Sequence, residues 1–89
     1  MNDNAVPTLT RHFRLQWEPA QDCYVLLYPE GMVKLNGSAG VILSNVDGKR
    51  NVGQVINDLQ QEFPGVESLA EDTRAFLQTA VDQHWVTFV

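Results

Sequence analysis

Apolar and polar positions along this chain change their period twice, and each change marks a change of element. Phe13-Arg14-Leu15-Gln16-Trp17 alternates with period two, as a strand with one covered face does. After the turn-forming run Glu18-Pro19-Ala20-Gln21-Asp22, residues Cys23 to Tyr28 are unbroken apolar and rich in β-formers. That suits the middle strand of a small sheet, covered on both faces. Pro29, Glu30 and Gly31 then predict a three-residue hairpin loop, with Pro29 presetting its φ and Gly31 adopting a positive one. Met32 to Leu35 form the third and shortest strand. The expectation is an antiparallel three-strand meander with its first and third strands as edges.

From Asn36 onward the period becomes helical. Asn36 or Ser38 can cap a helix whose Ala39, Ile42, Leu43 and Val46 fall at i, i+3, i+4 and i+7. Asp47-Gly48 ends it, with glycine in the left-handed C′ position. Asn51 and Gln54 make a capping box for a second helix with Val52, Val55, Ile56, Leu59 and Phe63 on its apolar face. Pro64-Gly65 stops it. Ser68-Leu69-Ala70-Glu71 reads as another capping box, opening a third helix. The stripe of that helix (Leu69, Thr73, Phe76, Leu77, Ala80, Val81) covers roughly 140° at 100° per residue, wider than one contact requires. Trp85 to Val89 read as an extended tail or short strand over the core. The predicted fold class is α+β, a winged-helix-like arrangement of a three-stranded antiparallel sheet followed by three helices. Residues 1–10 are polar with one proline and read as a flexible arm, leaving 11–89 as one folded domain.

Size and charge narrow the function. A chain of 89 residues buries little over ~60% of its unfolded surface and has room for a single core. No window approaches the ~20 apolar residues of a membrane span, and the first residues lack the regions of a signal peptide. A soluble, cytoplasmic protein without a membrane partner is expected. The lone Cys23 excludes an internal disulfide. A net charge of −5, with Arg11, Arg14, Lys34, Lys49, Arg50 and Arg74 scattered in sequence, opposes binding to a phosphate backbone. The third helix and its approach carry Glu67, Glu71, Asp72 and Asp82 against Arg74 alone, the wrong balance for the major groove. No nucleic-acid partner is expected.

Candidate chemistry is sparse. His12 and His84 lie far apart with no second ligand at metal spacing. Cys23 has neither a nearby histidine nor a CxxC partner. The carboxylates near the third helix read as solvated partners of its dipole. Asn36-Gly37-Ser38-Ala39-Gly40 lacks the spacing of a phosphate loop. The expectation is a protein that is not an enzyme, with no catalytic residue, metal or cofactor.

Several segments together resemble the PqqD family of pyrroloquinoline quinone (PQQ) biosynthesis, from about Phe13 to Trp85. They are the Trp17-Glu18 strand end, the Tyr24 to Tyr28 run, Tyr28-Pro29-Glu30-Gly31-Met32-Val33-Lys34-Leu35-Asn36, the Asp47-Gly48-Lys49-Arg50 turn and the Phe63-Pro64 helix end. The block from Tyr28 to Asn36 is the specific one. This resemblance implies a peptide-recognition domain over 11–89, a RiPP recognition element. Such a domain acts as a non-catalytic chaperone, holding the ribosomally made precursor peptide PqqA and presenting it to the radical-SAM enzyme PqqE. It also implies that the peptide docks as an added strand on the third strand, in a groove walled by the third helix. Carried onto this chain, the peptide-binding residues are Met32, Val33, Lys34, Leu35, Asn36, Thr73, Phe76, Leu77 and Ala80.

Strand addition agrees with the physics of a free edge, a hazard that proteins usually blunt and that Lys34 guards only modestly. Three or four backbone hydrogen bonds contribute roughly 2–5 kcal/mol net, whereas a micromolar complex needs about 8 kcal/mol. Apolar side chains of the peptide must therefore enter the groove. The alternative function is a carrier of the quinone product or an intermediate, disfavoured because the basic residues do not cluster in sequence. A homodimer formed through the same edge is a further partner state that the pattern allows.

Overall fold

In the computed structural model, which describes residues Met1–Val89, the chain forms β1 (Pro7–Leu9), β2 (Arg14–Glu18), β3 (Cys23–Tyr28) and β4 (Gly31–Lys34). Helices α1 (Gly37–Ser44), α2 (Val52–Glu62) and α3 (Leu69–Asp82) follow, and β5 (Val86–Phe88) ends the chain. Strands β2, β3 and β4 make the expected antiparallel meander, in that order, with Leu15 opposite Leu26 and Leu26 opposite Val33. Leu26, Leu15, Val33 and, just past β4, Leu35 point to the helices. The period of two sends Arg14, Gln16, Met32 and Lys34 to the other face.

The hairpin between β3 and β4 is tighter than expected. Tyr28 pairs directly with Gly31, so the loop has two residues, Pro29 and Glu30, and Gly31 is not among the positive-φ glycines. Ladder pairing at Gly31 thus replaces the left-handed bulge of a three-residue loop.

Helix α1 sits between two apolar clusters. Its Ile42 joins Val52, Val55, Ile56, Leu59, Leu69 and Leu77 of the other two helices. Its Ala39 and Leu43 join Leu26, Leu35, Ala80 and Val86 on the sheet side. A helix that is apolar nearly all round belongs between layers rather than on a surface. Gly40 makes the close approach to the sheet possible: a Cβ there would stand 2.8 Å from Cδ2 and 3.0 Å from Cβ of Tyr24.

Of the two candidate caps for α1, Asn36 is used; its side chain accepts from the Ala39 amide at 2.8 Å. The capping box of α2 forms in both directions, between Asn51 and Gln54. Two other expectations are corrected. Ser68 makes no capping bond to the backbone; its hydroxyl donates to Asp72 at 2.8 Å instead. Gly48 does take a positive φ, +73°, but α1 already ends at Asn45, so Gly48 shapes the connector rather than the helix cap.

That connector is organised by charge. The Asp47 carboxylate accepts the Arg50 and Lys49 amides, both at 2.9 Å. The Arg50 guanidinium then reaches Asp47 at 3.0 Å, Asp58 on α2 at 2.6 Å and the Asn45 carbonyl at 2.9 Å. One arginine ties the end of α1 to the middle of α2.

The reading of residues 1–10 as a flexible arm gives way to a more ordered picture. Strand β1 pairs antiparallel with β5, Thr8 opposite Thr87, and Pro7 is buried. The Val52 and Gly53 amides donate to the Ala5 and Asp3 carbonyls at 2.9 and 3.0 Å. Asp3 also receives two bonds from Arg74 of α3, at 3.0 and 2.8 Å. The segment looked loose because its partners come from far along the chain. Residues 85–89 do contribute to the core, through Val86.

Gly40→Ala should lower stability by ~1–3 kcal/mol through overpacking against Tyr24. Gly37→Ala, whose methyl meets nothing within 4 Å, should be neutral or stabilising; urea unfolding of the two variants compares them. The amides of Arg50 and Lys49 hold the Asp47 carboxyl at about 2, below its ordinary 3.8. A depressed carboxylate supports the fold above its unfolded value and loses that support as the pH falls through its folded one. Melting curves between pH 4 and 2 should therefore show an acid limb that Asp47→Asn flattens.

Candidate functional site

Hydrogen-bond direction along β4 decides what its outer edge offers. The Leu35 amide donates to the Tyr24 carbonyl at 3.0 Å. Alternation then turns the backbone groups of Val33 and Gly31 toward β3, where they face Leu26 and Tyr28. The N–H and C=O groups of Met32 and Lys34 point outward. No strand takes them up: β4 pairs only with β3, and β5 is spent on β1 in a separate two-stranded sheet.

The side chains predicted for the site divide into three groups. Met32, 47% exposed, and Lys34 lie on the face away from the helices. Val33, Leu35, Phe76 and Ala80 are brought together in the sheet-side cluster, where Leu35 and Ala80 are buried and Val33 and Phe76 half-buried. Asn36 spends its side-chain oxygen on the α1 cap.

The structure places the helix positions largely inside the fold. Thr73, Leu77 and Ala80 are at most 1% exposed, so their side chains serve the core. Helix α3 has two internal neighbours, α2 through Leu69 and Leu77 and the sheet-side cluster through Ala80. The width of its stripe is consumed by those two contacts. Phe76 touches both clusters and keeps part of its ring accessible.

An apolar pocket of about 270 Å³, absent from the sequence reading, opens where the three helices meet. Val41 and Ile42 of α1, Leu59 of α2, Phe63 and Val66 of the following turn, and Leu69 and Thr73 of α3 line it, together with Gly37, Ser38 and Asp72. Phe63 belongs to this rim, 40% exposed, rather than to the buried face of α2. The available signal was an aromatic just before Pro64-Gly65 followed by another apolar residue, Val66, in a chain segment too short to bury either.

Charges are partly neutralised internally. Arg50 pairs with Asp47 and Asp58, and Arg74 with Asp3. The Arg74 bonds hold the Asp3 carboxyl below its usual range, and Asp3 in turn raises the guanidinium. The one base on α3 is thus already engaged. Two of the cations that look scattered do share a surface: Arg11 and Arg14, with His12, Tyr28 and Pro29, border an open cleft of about 310 Å³. His84 stands elsewhere, with a φ of +63°, and its carbonyl accepts the Thr10 hydroxyl at 2.6 Å. No helix is long and apolar enough to cross a membrane.

A family model described as "Coenzyme PQQ synthesis protein D (PqqD)" matches residues 23–86. The chain belongs to the PqqD family. Its resemblance to that family, drawn from the block between Tyr28 and Asn36, therefore holds. A relative of this PqqD-family chain in Stutzerimonas stutzeri (strain A1501), named PqqA binding protein, is 56% identical over 81 residues, covering 91% of this chain and 88% of that one. A protein of the same name from Pseudomonas aeruginosa (strain UCBPP-PA14) is 57% identical over 83 residues, covering 93% and 90%. Among solved structures, the PqqD truncation of Methylobacterium extorquens PqqCD superposes with a TM-score of 0.75 at 28% identity, over 92% of this chain and 88% of that one. That solution structure is described as a functional and stand-alone RiPP recognition element.

The division between core and edge is open to measurement. Leu77→Ala should cost ~2–5 kcal/mol of stability by opening a cavity. Met32→Ala, on an exposed edge, should change it by no more than ~0.5 kcal/mol. Chemical unfolding of both variants reads the difference.

Proposed function

We propose that this PqqD-family protein is a non-catalytic chaperone that binds the precursor peptide PqqA by strand addition to β4 and presents it to the radical-SAM enzyme PqqE. The observation that carries the reading is the open outer edge of β4, whose Met32 and Lys34 backbone groups have no partner strand. The names of the relatives and the description of the Methylobacterium structure support the peptide and the class of domain. An added strand would take its backbone bonds from Met32 and Lys34 and meet the half-buried Val33 and Phe76, with Leu35 buried behind them. Ala80 acts behind that surface in the sheet-side cluster, while Leu77 packs toward α2 and Thr73 lines the three-helix pocket.

The carrier alternative has less behind it. The apolar pocket has Asp72 in its lining and Glu62 and Glu67 flanking its turn, which repel a polyanionic quinone; the surface that gathers cations, the cleft at Arg11 and Arg14, is shallow and open. A second copy of the chain could occupy the β4 edge only in competition with the peptide. Sedimentation with and without PqqA separates those two states.

Proline substitution tests the strand. Lys34→Pro removes an outward N–H and leaves the β3 ladder intact; peptide binding by calorimetry should be lost while the melting temperature stays near that of the wild type. Val33→Pro removes an inward N–H and should destabilise the sheet itself. Unchanged peptide affinity in Lys34→Pro would exclude this edge.

A further inference from the structure

Resting on the strand-addition reading, we infer that the three-helix pocket is a second recognition point of the same peptide: it takes one large apolar side chain flanked by a lysine or arginine. Three observations converge on that occupant.

The first is size and lining. About 270 Å³ walled by Val41, Leu59, Phe63 and Val66 lies just below the ~300 Å³ at which small-molecule sites begin, and it suits a single side chain. The second is exposure at the mouth. Phe63 and Val66 are 40% and 51% exposed, although a turn of this kind has no structural need of two apolar residues facing water. Phe63 and Val66 thus leave apolar surface at the mouth for an incoming side chain to cover.

The third observation is charge. No lysine or arginine occurs between Asn51 and Thr73. In that stretch Glu62, Glu67 and Asp72 make no ion pair; Asp72 belongs to the pocket lining and accepts only the Ser68 hydroxyl. An apolar hole beside unpaired carboxylates selects an apolar residue with a cationic neighbour and rejects an acidic one.

Position links the pocket to the edge. Ser38, on the pocket wall, follows Lys34 by four residues, which span at most ~14 Å even when extended. A peptide paired along β4 needs only a few residues beyond the ladder to reach the opening.

Calorimetry on the full chain with synthetic PqqA tests the inference. Phe63→Ala and Val66→Ser, both at exposed positions, should each weaken binding about tenfold, equivalent to ~1.4 kcal/mol. That loss should vanish against a peptide whose anchoring apolar residue, found by alanine scanning, is already alanine. Replacing Glu62, Glu67 and Asp72 by glutamine or asparagine should flatten the salt dependence of the affinity. Unchanged affinity in both rim variants, alongside loss of binding in Lys34→Pro, overturns the pocket and leaves strand addition standing. Weakened binding in the rim variants with Lys34→Pro unaffected overturns strand addition, and with it the reading of the pocket as a second point. Concentration-dependent NMR shifts at Phe63 and Val66 without peptide would assign the pocket to a second copy of this chain and overturn the proposal.

Discussion

The contact between Gly40 and the Tyr24 ring sets the distance at which α1 lies on the sheet, and the remaining geometry depends on it. With no side chain at Gly40, the helix backbone reaches van der Waals range of β3. The apolar flanks of α1 then face opposite ways, Ala39 and Leu43 into the sheet-side cluster and Ile42 into the helical one. A bulkier residue would lift α1 and loosen both clusters at once. In so small a domain neither could be stable alone.

Closure of the chain's ends elsewhere keeps β4 open. The terminal segments meet each other as β1 and β5, and the Asp3–Arg74 pair ties the N-terminal segment to α3. Had β5 paired with β4, the outward groups of Met32 and Lys34 would have been taken up within the chain. Routing the C-terminal residues to β1 lets Val86 enter the core while leaving the outward groups of Met32 and Lys34 free. A free strand edge is a liability for aggregation unless it is used, and here it is short.

Energetics explain why an edge alone makes a poor peptide receptor. A few backbone bonds supply ~2–5 kcal/mol net, and association itself costs several kcal/mol in lost freedom. In the proposed complex the difference would come from apolar side chains of the peptide. The groove beside β4 offers less of this than the breadth of the α3 stripe implies, because Thr73, Leu77 and Ala80 are already packed inward. Apolar surface near the site is left instead at Met32, at the half-buried Phe76 and at the three-helix pocket with its Phe63 and Val66 lip.

Much of this protein was legible in its residue pattern alone. The period-two run near Phe13, the apolar run Cys23–Tyr28 and the helical spacings each produced the element that local physics favours. Asn36 and Asn51 capped where short polar side chains satisfy free amides. The block from Tyr28 to Asn36 carried the family, because it encodes a tight turn, a short strand and a cap in succession. What only the tertiary structure decided are the relations between residues distant in sequence. Pairing of Pro7–Leu9 with Val86–Phe88, the double duty of α3, and the pocket shared by three helices depend on side chains that no local window brings together. Periodicity reports which face of an element avoids water; it does not report how many neighbours that face must satisfy, and the number of neighbours determines which apolar residues remain free to bind.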